Sequence, residues 1–153
     1  MDGTRRTALL SIPLLGPLAG LIAAIPGQAA GAPPEGAALR HELPNRAVQL
    51  EQAKHTVESY GETWCYFKGA TAQLSACTAW QVKLNGHAAP HAPHAHDDEE
   101  MMLVAVGSGE FRVGDEVTQV KAGSMMYCAG GQLHGLRNTS DEPLTYYYWK
   151  WRR

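Results

Sequence analysis

From Gly61 onward, apolar or aromatic runs of five to eight residues are separated by short punctuation of Gly, Asn, Pro or Asp. Short apolar or aromatic runs closed by turn-forming residues are the pattern of an all-β sandwich or barrel, so the chain is predicted to be all-β. The predicted strands cover residues 63–67, 74–84, 99–106, 109–113, 116–121, 124–128, 134–138 and 144–151. Gly107-Ser108-Gly109 and Val113-Gly114-Asp115 supply the glycines that tight hairpin turns need for positive φ. Between Gly86 and His96, Pro90 and Pro93 remove backbone donors and rule out a continuous strand. In residues 47–57, Val48, Leu50, Ala53 and Val57 fit neither period, so a short helix and an edge strand both stay open. In the run starting at Glu99, Met102, Val104 and Val106 share the parity of Glu100 and are expected inside, with Met101, Leu103 and Ala105 facing out.

The chemistry concentrates where that run begins, in His94-Ala95-His96-Asp97-Asp98-Glu99-Glu100. Side chains two apart on a strand share a face at about 6.6 Å, because each residue rises ~3.3 Å. His94, His96 and Glu100 are therefore expected to point the same way from one strand, with His134 arriving from a second strand alongside. Three imidazoles and a carboxylate form a donor set for one divalent transition metal, and Mn, Fe, Co, Ni, Cu and Zn all suit it. Surface histidines in a loop that also holds His87 and His91 are the plain alternative. The spacing to Glu100 and the separate His134 favour the metal. Glu99 is expected to point away from the ion, and Asp97 and Asp98 to be solvated. His91 is assigned to the rim, with proton transfer as its role. Gln132, in phase with His134, is the candidate for hydrogen bonding a substrate, while Glu100 could act both as ligand and as base. Tyr127 and Tyr146 to Tyr148 are expected to pack.

The chain has 153 residues, of which 44% are hydrophobic and 18% charged, a composition that suits one modest globular domain, placed here at residues 46–153. A formal charge of −2, with no basic run longer than Arg152-Arg153, provides no footprint for nucleic acid. Ahead of the domain, Arg5-Arg6 precede a stretch without charged side chains from Thr7 to Pro34 that ends in small residues. This pattern predicts an export signal over residues 1–30, similar to the twin-arginine class although Ala8 stands where Phe is frequent. A membrane anchor fits less well, since Pro13, Pro17 and Pro26 interrupt the run. Residues 31–45 are expected to be a flexible lead-in, the mature protein periplasmic or extracellular, and its membrane contact confined to export. Cys65, Cys77 and Cys128 are odd in number and spaced like neither a zinc knuckle nor a redox dithiol, so the simplest reading makes them small buried apolar groups.

Two motifs resemble those of the cupins. His94-Ala95-His96, three residues, Glu100, six residues and Gly107 match the first cupin motif after its opening glycine, for which Gly86 stands two residues too early. Gly123, Ala129-Gly130-Gly131, His134 and Asn138 match the second, with Ala129 in place of proline, and residues 108–122 separate the two. The resemblance implies a single antiparallel jelly-roll barrel with the metal inside its wider mouth and room for one small ligand. It further implies the activities cupins carry: dioxygenases acting on enediol or flavonol-like substrates, oxalate-degrading enzymes and isomerases. The resulting expectation is an exported metal-dependent oxidoreductase, dioxygenase-like, for a small oxygen-rich molecule. A non-catalytic metal-dependent binding module is the alternative, and whether the protein is an enzyme stays open. A homodimer that packs outward faces together would explain apolar residues on both faces of the run from Glu99, together with the aromatic tail Tyr146-Tyr147-Tyr148-Trp149-Lys150-Trp151.

Overall fold

The computed structural model describes residues 43–153, so the expected export signal and the lead-in up to residue 42 lie outside the described residues. At the start of the described chain, the Leu43 N–H is tied to the Ala70 carbonyl at 2.9 Å. One turn of 3-10 helix, Leu50–Gln52, is followed by the strands β1 (Lys54–Glu58), β2 (Gly61–Gly69), β3 (Ala76–Leu84), β4 (Glu99–Val106), β5 (Ser108–Val113), β6 (Glu116–Lys121), β7 (Met125–Cys128), β8 (His134–Asn138) and β9 (Leu144–Arg152). A six-stranded sheet runs in the order β1-β2-β3-β9-β4-β7, and a three-stranded sheet in the order β6-β5-β8. Every pairing is antiparallel. The all-β chain expected from the residue pattern is thus observed, in the antiparallel jelly-roll arrangement that the resemblance implied.

The inward side chains meet in a single core. Val82 and Leu84 of β3, Met102 and Val104 of β4 and Leu144 and Tyr146 of β9 pack with Phe111, Val120 and Leu136 of the smaller sheet. Leu84, Val104 and Leu144 are fully buried. Burying an aliphatic side chain of this size contributes roughly 1.5–3 kcal/mol each, so this seam is the main source of cohesion between the sheets. Cys128 is buried within the core while Cys65 and Cys77 are half-buried, and all three thiols are free.

Three expectations need correction. Gly107 (φ 82) does not close a hairpin: β4 pairs with β7 and β9, whereas β5 pairs with β6 and β8, so the chain changes sheet there. A Cβ at Gly107 would stand 2.7 Å from the Pro143 carbonyl oxygen, so only glycine fits the crossover. Val106 is 58% exposed, because a register shift against β9 between Val104 and Val106 reverses the alternation at that point. Strand β3 begins at Ala76 instead of residue 74, since the Thr71 hydroxyl accepts the N–H groups of Gln73 and Leu74 and holds them in a turn. The Val113-Gly114-Asp115 hairpin does form, with Val113 paired to Glu116 and Gly114 at φ 56. Residues 47–57 resolve into both open alternatives in succession: the 3-10 turn, then β1, an edge strand exposed along its whole length.

Leu144→Ala should lower unfolding stability by about 2–5 kcal/mol, as for other large-to-small changes at closed core positions, measured by urea denaturation.

Candidate metal centre

The histidines converge through the backbone before their side chains are considered. His94 and His134 form an isolated antiparallel bridge, with the His94 N–H donating to the His134 carbonyl at 3.0 Å and the His134 N–H donating back at 2.8 Å. His94 and His96 therefore do not lie on the same strand as Glu100, which was the sequence expectation. Strand β4 starts only at Glu99, and the two histidines belong to the loop before it. Pro93 delays pairing, and one bridge is all that the chain makes before Asp97 and Asp98. That loop is pinned in turn by Gly131, which donates its N–H to the His96 carbonyl at 2.8 Å from a positive φ of 80. Neighbouring Gly130 comes so close that a Cβ there would lie 2.4 Å from the Asp97 carbonyl oxygen. The glycines of the 129–131 turn thus let one loop close onto the other.

As a result one nitrogen from each of His94, His96 and His134 falls within 4.8 Å of the others. Glu100, buried beneath them, has its Oε2 at 3.0 Å from His96 Nε2 and 3.3 Å from His134 Nε2. The opposite ring nitrogens are already committed, His96 Nδ1 to the Asp98 carbonyl and His134 Nδ1 to the Gln132 carbonyl, each at 2.9 Å. A carbonyl only accepts, so both Nδ1 atoms carry hydrogen and each neutral ring aims its Nε2 lone pair at Glu100. Lone pairs facing a carboxylate need a positive charge between them, either a proton on the ring or a metal ion. Two donors bound at about 2.1 Å to one ion lie roughly 3.0–3.4 Å apart, and the two contacts to Glu100 have that spacing. His94 Nδ1 is buried without any hydrogen-bond partner, a condition that costs about 1–3 kcal/mol unless a cation or water satisfies it. These residues fit a divalent metal.

The protonation equilibria of the metal-free site follow from the same geometry. Burial raises the Glu100 carboxyl, but hydrogen bonds from His134 and His96 outweigh it and hold the group below its ordinary range. The Glu100 hydrogen bond raises His134, against burial. His94 is lowered, first by burial and then by the surrounding imidazoles.

The centre opens into a cavity of about 290 Å³. His91 lies at its rim as expected: it is exposed, its ring is 4.1 Å from that of His94, and its Nδ1 stands 3.0 Å from the Ala92 carbonyl oxygen. Gln132 is exposed and does not line the cavity; its backbone carbonyl orients His134, so the amide side chain is not placed to meet a substrate. Glu99 faces away, receiving hydrogen bonds from Trp151 Nε1 at 2.7 Å and the Tyr127 hydroxyl at 3.3 Å. Asp97 is exposed as expected, but Asp98 is not the solvated carboxylate expected of it. It is buried, bonded by Arg152 Nε at 2.7 Å and approached by Lys150 Nζ at 3.6 Å. Its carbonyl is the one that fixes His96. Asn138 is fully buried and donates to the Asn85 and Glu142 carbonyls, a purely structural role.

Sequence reasoning gave Tyr146 and Tyr148 only a packing role and Lys150 none, whereas all three line the cavity from the inner row of β9, in phase with Leu144. That parity was the signal that could have found them. Thr56 and Glu58 of β1 line the cavity as well.

A family model described as the cupin domain matches residues 80–150. No curated protein matches the chain. Among solved structures, an RmlC-like cupin from Shewanella frigidimarina is 15% identical with a TM-score of 0.56, covering 75% of this chain and 93% of that one. The cupin domain of Schizosaccharomyces pombe Cnp3 is 14% identical with a TM-score of 0.58, covering 70% of this chain and 74% of that chain. A protein from Thermotoga maritima described as a predicted oxalate decarboxylase is 15% identical, with a TM-score of 0.56, over 71% of this chain and 100% of its own. At such identities the likeness is one of fold.

Arg152, by hydrogen bond and by charge, holds the Asp98 carboxyl below its ordinary range against the opposing effect of burial. The stability this provides is present above the unfolded carboxylate pKa and is lost as pH falls through the lower folded value. Asp98→Asn should therefore lower the unfolding midpoint of the metal-free protein at pH 7 and approach the parent toward pH 3, followed by thermal denaturation. Because His134 is raised and must lose its Nε2 proton to a metal, zinc uptake should release more protons at pH 6.5 than at pH 8, with apparent affinity rising over that interval. Calorimetric titration in buffers of different ionisation enthalpy measures both.

Proposed function

The chain belongs to the cupin family through residues 80–150, and from that premise we propose that it is a metal-dependent oxidoreductase, dioxygenase-like, for a small oxygen-rich molecule. The observation that carries this reading is the meeting of three imidazoles, two with Nδ1 already donated to backbone carbonyls, around the buried Glu100 carboxylate. His94, His96, His134 and Glu100 would hold the ion. When bound, the metal supplies Lewis acidity and, if redox-active, a route for electrons. The donor set accepts Mn, Fe, Ni, Cu, Co or Zn.

The protein's own contribution is positioning and exclusion of water. The Asp98 and Gln132 carbonyls fix the rings of His96 and His134, an arrangement whose loss lowers metal affinity in comparable sites by roughly 10–100-fold. Val82, Met102 and Leu136 form an apolar floor that strengthens electrostatic interactions inside the pocket. Burial and the Glu100 charge push the Tyr148 phenol far above its ordinary range, so it stays protonated and able to donate a hydrogen bond near neutral pH. His91 at the rim is placed to exchange protons with solvent.

Export belongs to the same proposal, supported by Arg5-Arg6 ahead of the uncharged stretch. So does a homodimer, supported by the exposed Met101, Tyr127 and Trp149, which neighbour one another in register on the outer side of β4, β7 and β9.

The metal-loaded protein should consume oxygen or release carbon dioxide with at least one member of a panel of diketones, flavonols and dicarboxylates. His134→Ala should abolish both metal retention and turnover. A loaded protein inert toward the whole panel would instead be a binding module.

A further inference from the structure

Lys150 is the one cationic side chain among the residues lining the metal cavity. It lies on the inward row of β9 directly across the ladder from Glu100, a position where two side chains on the same face begin about 4.5–5.5 Å apart. Its ammonium turns from Glu100 toward Asp98 but stops at 3.6 Å, beyond hydrogen-bonding distance. Asp98 already has a close partner in Arg152 at 2.7 Å, so its charge is balanced without Lys150. The lysine side chain retains 30% exposure and makes no hydrogen bond among the described residues. Apart from Glu100, the acidic lining group is Glu58, exposed on the edge strand β1. With a divalent ion beside Glu100, Lys150 gives the pocket a surplus of positive charge, and its three N–H donors are free to point at a ligand.

We propose that Lys150 recognises an anionic group on the ligand, so that the cavity selects small carboxylate-bearing molecules over neutral molecules of the same shape. The proposal rests on the metal-centre reading above. A cavity of about 290 Å³ suits one small ligand. Lys150 is a specificity-determining residue in this scheme, and Asp98 with Arg152 sets where its amine sits.

Calorimetric titration of the zinc-loaded protein with malonate and with malonamide tests it, the two probes matching in shape and differing in charge. Malonate should bind at least tenfold more tightly, the effect of about one charge-assisted hydrogen bond. Lys150→Gln should weaken that preference about tenfold while zinc stoichiometry and the unfolding midpoint of the metal-free protein stay at parent values, and Lys150→Arg should keep most of it. Equal affinity of the parent for the two probes overturns the proposal, whether or not the variants fold. So does a folded Lys150→Gln protein whose preference for malonate equals the parent's. Zinc bound at one per chain without a malonate preference sinks only this inference, whereas failure to bind zinc overturns the metal-centre reading and this inference with it.

Discussion

The double backbone hydrogen bond between His94 and His134 is the constraint from which the site follows. It is a single rung of β-ladder joining a proline-rich loop to the first residue of β8. Because both strands of the rung carry histidine, closing it brings two imidazoles together without help from the side chains. Glu100 then lies below, at the second residue of β4, and His96 is held above it by the Asp98 carbonyl. No part of this needs a long element. It needs only that the two sheets be packed closely enough to hold the loop over the barrel mouth.

The site is a balance of charge in a place with little water. A buried carboxylate alone is costly, and two imidazole lone pairs turned toward it add repulsion instead of relief. A proton on His134 eases the conflict in the metal-free protein, where hydrogen bonding to Glu100 raises His134 and lowers Glu100. A divalent cation resolves it with greater charge in the same space. The neighbouring Asp98 shows the other solution, a buried carboxylate neutralised directly by Arg152, and it lends its carbonyl to the metal centre without joining it. The two carboxylates are two residues apart, one turned to Arg152 and the other to His96 and His134.

The barrel is asymmetric in a way that serves the pocket. Leu84, Val104 and Leu144, all without solvent exposure, fill its core, whereas Thr56 and Glu58 of the exposed edge strand β1 line the pocket. Strand β9 links the two: the same inward row runs from Leu144 in the core through Tyr146 and Tyr148 to Lys150 at the mouth. Packing at one end therefore sets the position of the chemistry at the other.

Short apolar runs and the turn residues between them were enough to determine an all-β chain and the ranges of β4, β6 and β8, and parity with Glu100 gave the inward row of Met102 and Val104, because run length and the two-residue period depend on local backbone geometry alone. The spacing of His94, His96, Glu100 and His134 was also legible, since residue type and order survive without coordinates. What the linear pattern could not contain was the pairing between distant strands. The bulge that exposes Val106, the change of sheet at Gly107, the hydrogen bonds that orient His96 and His134, and the burial of Asp98 under Arg152 each depend on which segment lies opposite, and only long-range packing decides that. The histidines were rightly grouped but wrongly seated: they reach the centre from a loop secured by one β-bridge, because Pro93 and the acidic pair after His96 keep that stretch from extending the strand.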